Sequence, residues 1–385
     1  MKTCTDDAHS VGEILRPVWA EVNLANISDN VRHIGSFLAG RPMMAIVKAN
    51  AYGHGAVPVA QAALSAGATW LGVATPEEGV ALRQAGITVP ILVLGTFFPG
   101  QEQAFREYSL TATIGTQEAA AVLCHLADIG ADFPVHLKIE TGMGRLGLLE
   151  PQVTSVAREL LAHKVDVNGL YTHLATADEA DLQFTQMQLA RFQRVRATLA
   201  ALGMRPQWQH AANSAAIFRL PLDDFNLVRT GITMYGLYPS ANVPQQVPLK
   251  SAISLHARAV AVRRLPAGSH ISYGSTFQTT RATNIVTLPL GYADGYSRRL
   301  SNIFSALLGG KRYPLVGNIT MDQCMVDVGD YPAQVGEEAV LLGAQGGEEI
   351  TAEELAEALG TINYEVICMI GGRVPRVFVG ATAQR

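Results

Sequence analysis

The chain has 385 residues, of which 48% are hydrophobic and 16% are charged, a globular composition long enough for two domains. The net charge of −4 is dispersed along the chain, which argues against a nucleic-acid-binding face. No apolar run approaches the roughly 18 residues of a membrane span.

Residues 1–16 are predicted to form a short mobile extension, because their start mixes charged and small residues and lacks the apolar centre of a signal peptide. The cysteines, Cys4, Cys124, Cys324 and Cys368, are far apart and form no CxxC pair. They are expected to be buried thiols rather than disulfides or zinc ligands, and no metal is predicted. Together these points favour the cytoplasm.

The middle of the chain alternates short β-branched or apolar runs with helix-like stretches. Eight runs are predicted as strands: residues 43–47, 70–75, 91–95, 110–115, 135–140, 167–173, 208–212 and 226–229. This alternation predicts a (β/α)₈ TIM-type barrel. The alternative is an open doubly wound sheet, which usually has a glycine-rich turn after its first strand, whereas here that strand ends at Lys48.

Four stretches between these strands have the clearest helical patterns, namely residues 58–66, 76–85, 117–129 and 181–202. Each is followed by a glycine that could serve as a left-handed C-cap (Gly67, Gly86, Gly130 and Gly203). The helices are therefore expected to end at these glycines.

After about Pro239 the pattern changes to strands at 251–264, 284–290, 313–328 and 339–342, with one good helix at 351–359. Turns are predicted at residues 266–268, 294–295 and 309–310. The predicted division is a barrel over 17–245 and a mainly β C-terminal domain over 246–385. The first strand, at about 17–24, can pack with the β domain.

Polar residues collect at the predicted carboxyl ends of the barrel strands, where barrels of this kind carry their catalytic groups. These residues are Lys48, Arg145, His173, Ser214 and Arg229. The loops after the seventh and eighth strands commonly bind phosphate. Ser214 offers a hydroxyl there, and the backbone amides of Gly231 and Ile232 can face an anion.

The sequence resembles the alanine racemases, a fold-type-III pyridoxal-phosphate family, from about residue 17 to 379. The resemblance begins with the lysine run at residues 47–55. It continues in family order through residues 136–147, 172–178, 212–215, 228–236, 271–277, 291–296, 321–322, 363–365 and 373–376. Each motif is weak alone, but jointly they are specific.

The resemblance implies a role for each matching residue. Lys48 resembles the lysine that holds pyridoxal 5′-phosphate as a Schiff base and is one of two catalytic bases, and Tyr273 resembles the other base, supplied by the partner subunit. Arg229 resembles the arginine that faces the pyridine nitrogen. His173 resembles the residue that links Tyr273 to Arg229 by hydrogen bonds. The residues similar to the phosphate-binding set are Tyr52, Ser214, Gly231, Ile232 and Tyr364. Those similar to the substrate-binding set are Arg145, Met321 and Tyr292.

The implied activity is the interconversion of L-alanine and D-alanine by a homodimer with shared sites, which supplies D-alanine for peptidoglycan. Removing a proton from one face of Cα and returning it on the other needs two bases, and both need a lowered pKa. The alternatives are a serine or broad-specificity racemase, a fold-type-III decarboxylase, or a non-catalytic pyridoxal-phosphate carrier. The last resembles the barrel alone.

Lys138 aligns with a lysine that is carbamylated in some family members and braces the residue matching Arg145. An ion pair between Lys138 and Glu140 is the alternative, because both are predicted in one strand. The sequence departs from the commonest family pattern at Glu140, where aspartate is more usual, and at Thr230, where proline is frequent. Neither change removes a functional atom.

Overall fold

The computed structural model describes residues 15–380, so residues 1–14 of the predicted extension lie outside the described part. The chain divides into two compact units. The barrel unit consists of Ile27–Ala51 and Ala56–Lys250. The β unit contains described residues 15–26, 52–55 and 251–380.

Eight parallel strands form the barrel unit, and the first seven pair with one another in chain order. They are Met43–Ile46, Trp70–Val73, Ile91–Thr96, Thr111–Ile114, Val135–Lys138, Val167–Tyr171, Trp208–His210 and Val228–Thr230. The first strand also pairs with the eighth. Between the seventh and eighth strands, Arg229 N donates to Ala212 O at 3.0 Å, so the barrel is nearly closed. The predicted barrel followed by a mainly β domain is confirmed.

The helices around these strands bury one apolar stripe each, which is what a barrel's outer layer requires. They are Leu24–Phe37, Ala56–Ser65, Pro76–Gln84, Glu102–Glu107, Gln117–Asp128, Glu150–Ala162, Gln183–Ala201 and Ser214–Arg219. The glycines predicted as caps, Gly67, Gly86, Gly130 and Gly203, all have φ between 66° and 114°. That conformation favours glycine, so the sequence located these helix ends well.

The β unit contains twelve strands and two helices among the described residues. The strands are Val18–Asn23, Ile253–Arg258, Ala261–Leu265, His270–Ile271, Phe277–Gln278, Thr283–Leu288, Ser305–Leu308, Lys311–Pro314, Cys324–Gly329, Glu338–Gln345, Glu348–Ile350 and Arg376–Val379. The helices are Ala352–Leu359 and Asn363–Met369. Val18–Asn23 pairs antiparallel with Ile253–Arg258 and parallel with Arg376–Val379.

The β unit differs from the sequence-based division in two ways. The division placed 17–245 in the barrel and allowed the strand at about 17–24 to pack with the β domain, and residues 15–26 do belong to the β unit; residues 52–55 also belong to it, whereas residues 246–250 belong to the barrel unit. The reason is hydrogen bonding: Val18–Asn23 completes a sheet of the β unit, and the side-chain Nε of Arg376 donates to Gly53 O at 2.8 Å. The predicted strand 313–328 is also two strands, since residues 315–323 form loop between them.

The predicted turn at residues 294–295 is fixed by a buried carboxylate. Asp294 accepts two hydrogen bonds from the Arg16 guanidinium, at 3.0 and 2.8 Å, and one from Gly291 N at 3.0 Å. The side chain of Asp294 is fully buried, and a buried charge of this kind needs such partners. Gly295 follows with φ of +95°. In the part of the chain that the structure describes, no helix is long and apolar enough to cross a membrane.

Gly295→Ala should destabilise the β unit strongly. A Cβ on Gly295 would lie 1.8 Å from Met369 O, and the left-handed backbone adds strain. We expect the free energy of unfolding to fall by about 2–4 kcal/mol in urea denaturation. Gly372→Ala is the matched control, because a Cβ there has no heavy atom within 4 Å. Equal stability of the two variants would contradict this account of the turn.

Candidate active site

Lys48 lies two residues beyond the end of the first barrel strand, Met43–Ile46, and the three residues after it form a left-handed turn. Ala49, Asn50 and Ala51 have φ of 51–52° and ψ of 49–53°. This conformation costs about 1–2 kcal/mol per non-glycine residue, because Cβ approaches the following carbonyl oxygen. Neighbouring contacts must therefore hold the turn, and strain of this kind clusters at functional sites.

The glycines after this turn are required for packing within the β unit. The sequence pattern suggests that Gly53 and Gly55 allow close approach of the backbone to a ligand. In the structure, a Cβ on Gly53 would lie 2.8 Å from Ile367 O, and one on Gly55 would lie 2.7 Å from the Phe378 ring. Both glycines also have positive φ. Close approach to protein, and not to a ligand, explains them.

The buried guanidinium of Arg229 donates to backbone carbonyls and to two imidazoles. Nη2 donates to Thr172 O at 2.9 Å and to Ala211 O at 3.0 Å. Nη1 lies 2.7 Å from His210 Nδ1, and Nη2 lies 3.2 Å from His173 Nδ1. Burial lowers the pKa of Arg229 to about 10, which leaves it charged at neutral pH. These bonds fix its orientation.

The contact with Arg229 sets the tautomer of both histidines. Arginine carries only donors, so Nδ1 of His173 and Nδ1 of His210 must accept, and their protons lie on Nε2. Burial, followed by the positive charge of Arg229, lowers the pKa of both imidazoles well below the usual value. His173 is therefore neutral and carries a donor on its second nitrogen.

His136 extends this network and, like His210, was not recognised from the sequence. Its Nδ1 lies 3.0 Å from His210 Nε2, which must be the donor because Nδ1 of His210 already accepts. Burial, together with the nearby charge of Arg229, lowers the pKa of His136 to about 3. Its ring contacts Trp70, with 5.3 Å between centroids. A histidine within a predicted barrel strand is the signal that could have revealed both residues.

Lys138 lies buried at the end of the fifth strand among other cations. Burial, followed by the guanidinium groups of Arg145 and Arg229, lowers the pKa of Lys138 to about 8. No ion pair joins Lys138 to Glu140 among the described residues. Glu140 instead accepts the backbone N–H of Gly142 at 2.5 Å and of Arg145 at 3.3 Å. Although burial raises the pKa of Glu140, these amide bonds lower it overall.

Ser214 opens the short helix after the seventh strand and contacts the loop after the eighth. Its Oγ accepts from Gly231 N at 2.9 Å and from Thr233 Oγ1 at 3.1 Å. The amide of Gly231 is thus bonded to Ser214 and does not face an open space, in contrast to the expectation from the sequence. Because both acceptor positions of this hydroxyl are used, its own proton is left to donate, as an anion would require. Ile232 is the next residue and begins a short 3₁₀ helix, Ile232–Tyr235.

Five predicted site residues belong to the β unit. Tyr52 is buried, and its ring lies 6.2 Å from that of Tyr364, centroid to centroid. Burial and the nearby Cys368 raise the pKa of Tyr52. The side chains of the other three are exposed, to 72% for Tyr273, 52% for Met321 and 42% for Tyr292. Tyr292 and Met321 are neighbours, because Tyr292 N and Ala293 N donate to Thr320 O and Met321 O.

The barrel unit brings five predicted residues into electrostatic range of one another. Besides burial, the charges of Arg229, Arg145, Lys138 and Lys48 all lower the pKa of His173. Four cations around a neutral imidazole form a site suited to an anionic ligand. Among the described residues, no group of three or more His, Cys, Asp or Glu side chains could hold a metal ion.

An eight-stranded parallel barrel with cations and neutral histidines at the carboxyl ends of its strands defines a (β/α)₈-barrel enzyme. Family models for the alanine racemase N-terminal and C-terminal domains match residues 22–239 and 252–378. The chain therefore belongs to the alanine racemase family.

Individual relatives cover nearly the whole chain. An alanine racemase of Symbiobacterium thermophilum is 50% identical, over 96% of this chain and 99% of its own length. One of Carboxydothermus hydrogenoformans is 48% identical, over 95% of this chain and 100% of its own length.

Solved structures of alanine racemases share the fold of both units. The Bacillus anthracis enzyme with bound L-Ala-P has a TM-score of 0.91 and 40% identity, covering 96% of this chain and 97% of its own. The Bartonella henselae enzyme, with covalently bound pyridoxal phosphate, has a TM-score of 0.85 and 29% identity. That match covers 94% of this chain and 99% of the Bartonella chain.

Acid should destabilise the fold through His136. Below pH 6.5 the unfolded chain binds a proton on this residue that the folded chain, with a pKa of about 3, does not bind. Stability is therefore lost as pH falls from about 6.5 to about 3, by up to about 1.4 kcal/mol per pH unit for one histidine. His136→Asn keeps an acceptor near the Nδ1 position and does not titrate.

Urea unfolding of the wild type and of His136→Asn at pH 7, 6, 5 and 4 tests whether His136 causes the loss of stability in acid. We expect His136→Asn to be less stable than the wild type at pH 7 and to lose less stability on acidification. If the free energies of unfolding of the two proteins fell in parallel with pH, His136 would not be the cause of the acid destabilisation.

Proposed function

We propose that the protein interconverts L-alanine and D-alanine with pyridoxal 5′-phosphate as its cofactor. The observation that carries the proposal is the fixed Arg229 guanidinium with neutral His173 beside it, in range of Lys48. The activity by which the relatives are named supports alanine as substrate, and the pyridoxal phosphate bound covalently in the Bartonella enzyme supports the cofactor. The runner-up is a racemase with serine or broad specificity.

The residues of the barrel unit fit this cofactor. Lys48 would hold it covalently, and the outward hydroxyl proton of Ser214 would donate to its phosphate. Arg229 would face the ring nitrogen and, as a permanent donor, keep that nitrogen unprotonated. The remaining proposed phosphate ligands are Tyr52, Ile232, Tyr364 and the Gly231 amide, which would exchange its bond to Ser214 for one to the phosphate. When bound, the cofactor supplies an electron sink that acidifies the Cα–H of the attached amino acid.

Two bases would move the proton. The Lys48 amine would act on one face of Cα, and Tyr273 from a second copy of the chain would act on the other. The high exposure of Tyr273 supports a role outside its own protomer's core. A phenolate there would be stabilised by a hydrogen-bond donor, and His173 carries that donor on Nε2. The neutral imidazole avoids protonating the phenolate outright.

The substrate carboxylate would bind to Arg145 and to the backbone amide of Met321, with Tyr292 at the entrance. Arg145 is exposed on the loop after the fifth strand, and the Glu140 carboxylate braces that loop by accepting backbone amides. A guanidinium can pair with a carboxylate through two parallel hydrogen bonds, which would fix the amino acid's orientation.

We also propose that Lys138 is carbamylated. Its pKa of about 8 leaves part of the amine neutral near pH 7.5, and a neutral amine adds to CO₂ with loss of one proton to water. The product is an anion that would lie among Arg145, Arg229 and Lys48, so those cations would stabilise it. The carbamate would hold the Arg145 guanidinium toward the substrate.

The proposed product, D-alanine, would serve peptidoglycan synthesis, and the proposed active form is a homodimer with shared sites. The cytoplasmic location stays a prediction from the sequence.

Racemisation of L-alanine and L-serine, followed by circular dichroism, tests the two-base proposal. Tyr273→Phe and Lys48→Ala should each lower kcat for alanine by at least about 10²-fold, the usual contribution of a general base. The control variants Lys311→Ala and Tyr313→Phe also remove an amine and a phenol hydroxyl, but from a strand of the β unit outside the proposed site, and they should retain activity. Full activity in Tyr273→Phe would refute the second base, and turnover of serine alone would refute the substrate.

Carbon-13 NMR with labelled bicarbonate tests the carbamate. The wild type should show one carbamate resonance that increases as pH rises through about 8, because only the neutral amine reacts. Lys138→Gln should lack the resonance, and Lys164→Gln, on an exposed loop, should retain it. A resonance that persists in Lys138→Gln, or none in the wild type, would contradict the assignment.

A further inference from the structure

Three hydrogen bonds join the left-handed turn after Lys48 to neighbouring residues, in addition to the backbone bonds within the one-turn helix Lys48–Tyr52 itself. Ala51 N donates to Val47 O at 2.9 Å, and the Asn50 side chain accepts from Ala56 N at 2.7 Å. Ala49 N donates to Glu78 Oε1 at 2.6 Å. Of these three bonds, only the last has its partner on another part of the barrel.

Glu78 itself is held by a second set of amides. Its other carboxylate oxygen accepts from Ala74 N at 2.7 Å and from Thr75 N at 3.4 Å. These amides precede the helix Pro76–Gln84, and the Glu78 carboxylate caps them from the first turn of that helix. One carboxylate therefore joins a rigid helix start to the backbone next to Lys48.

Packing holds only part of this turn. Ala51 is fully buried, but Ala49 and Asn50 are exposed, so burial of apolar surface does not hold these two residues in a conformation that alanine avoids. Release of Ala49 from the left-handed region would change the direction in which the chain leaves Lys48, and with it the direction of the Lys48 side chain. A charged acceptor bound to an amide is about twice as strong as a neutral one, which suits this task.

We propose that Glu78 is a positioning residue for Lys48: by accepting the Ala49 amide, its carboxylate keeps the strained turn in place and so aims the lysine at the cofactor. This inference rests on the proposed function, because it assumes that Lys48 binds pyridoxal phosphate. Glu78 touches neither cofactor nor substrate in this scheme and acts only through the backbone.

The test compares Glu78→Ala, which removes both sets of bonds, with Glu78→Gln, which retains one carbonyl oxygen. The first readout is backbone hydrogen exchange of a peptide covering residues 48–52, measured without cofactor. The second is the rate at which added pyridoxal phosphate becomes fixed to Lys48 on borohydride reduction, followed by peptide mass spectrometry. In both variants we expect the backbone amides of residues 48–52 to exchange at least about tenfold faster than in the wild type. We also expect Lys48 to be labelled at least about tenfold more slowly, and both effects should be larger in Glu78→Ala.

Two controls separate positioning from general destabilisation. Thr75→Ala removes the hydroxyl at the start of the helix and leaves the Glu78 carboxylate and the Thr75 backbone amide intact, so it should not slow the labelling of Lys48. Glu77→Gln removes the neighbouring charge and should change neither readout. If Glu78→Ala does not fold, Glu78→Gln still carries the comparison.

The outcomes distinguish this inference from the proposed function. The role of Glu78 would be overturned if Glu78→Gln and Glu78→Ala showed the same hydrogen-exchange and labelling rates as the wild type. It would also be overturned if Thr75→Ala slowed the labelling of Lys48 as much as the Glu78 variants do. Failure of the wild type to be labelled at Lys48 would overturn the proposed function instead. In that case, faster amide hydrogen exchange of residues 48–52 in the Glu78 variants would still show that the Glu78 carboxylate stabilises the left-handed turn.

Discussion

The buried positive charge of Arg229 determines the chemistry of its surroundings. A guanidinium withdrawn from water needs an acceptor for each of its donors, and here backbone carbonyls of Thr172 and Ala211 turn toward it. Two imidazoles also lie within hydrogen-bond distance of the guanidinium, and they can accept only while neutral. The tautomers, the low histidine pKa values and the direction of the His173 donor all follow from this single cation.

The features that were predicted correctly depend on local sequence. Strand and helix alternation, glycine caps such as Gly203 and the position of Lys48 after a strand can be recognised within short windows. In a barrel of parallel strands, the carboxyl ends of all strands lie on the same face. Arg145, His173 and Arg229 can therefore be grouped from their positions in the sequence alone. Their mutual influence on the pKa of His173 agrees with that grouping.

The features that were missed depend on contacts distant in sequence. His136 and His210 are 74 residues apart, and nothing local indicates that they face each other. Gly53 and Gly55 looked like ligand-binding glycines, yet their neighbours are Ile367 and Phe378. The same holds for the turn after Lys48, whose left-handed backbone contradicts the preference of alanine and therefore cannot be read from residue type.

The β unit is assembled from segments at both ends of the chain, and this bears on how the protein folds as it is synthesised. Val18–Asn23 leaves the ribosome first, but its partners are Ile253–Arg258 and Arg376–Val379. Barrel strands mostly pair with the next strand to emerge, so that unit can form while translation continues. The opening strand can pair with Ile253–Arg258 only after the whole barrel has been made, and its other edge stays unpaired until Arg376–Val379 follows. The two units therefore complete their sheets at different stages of synthesis.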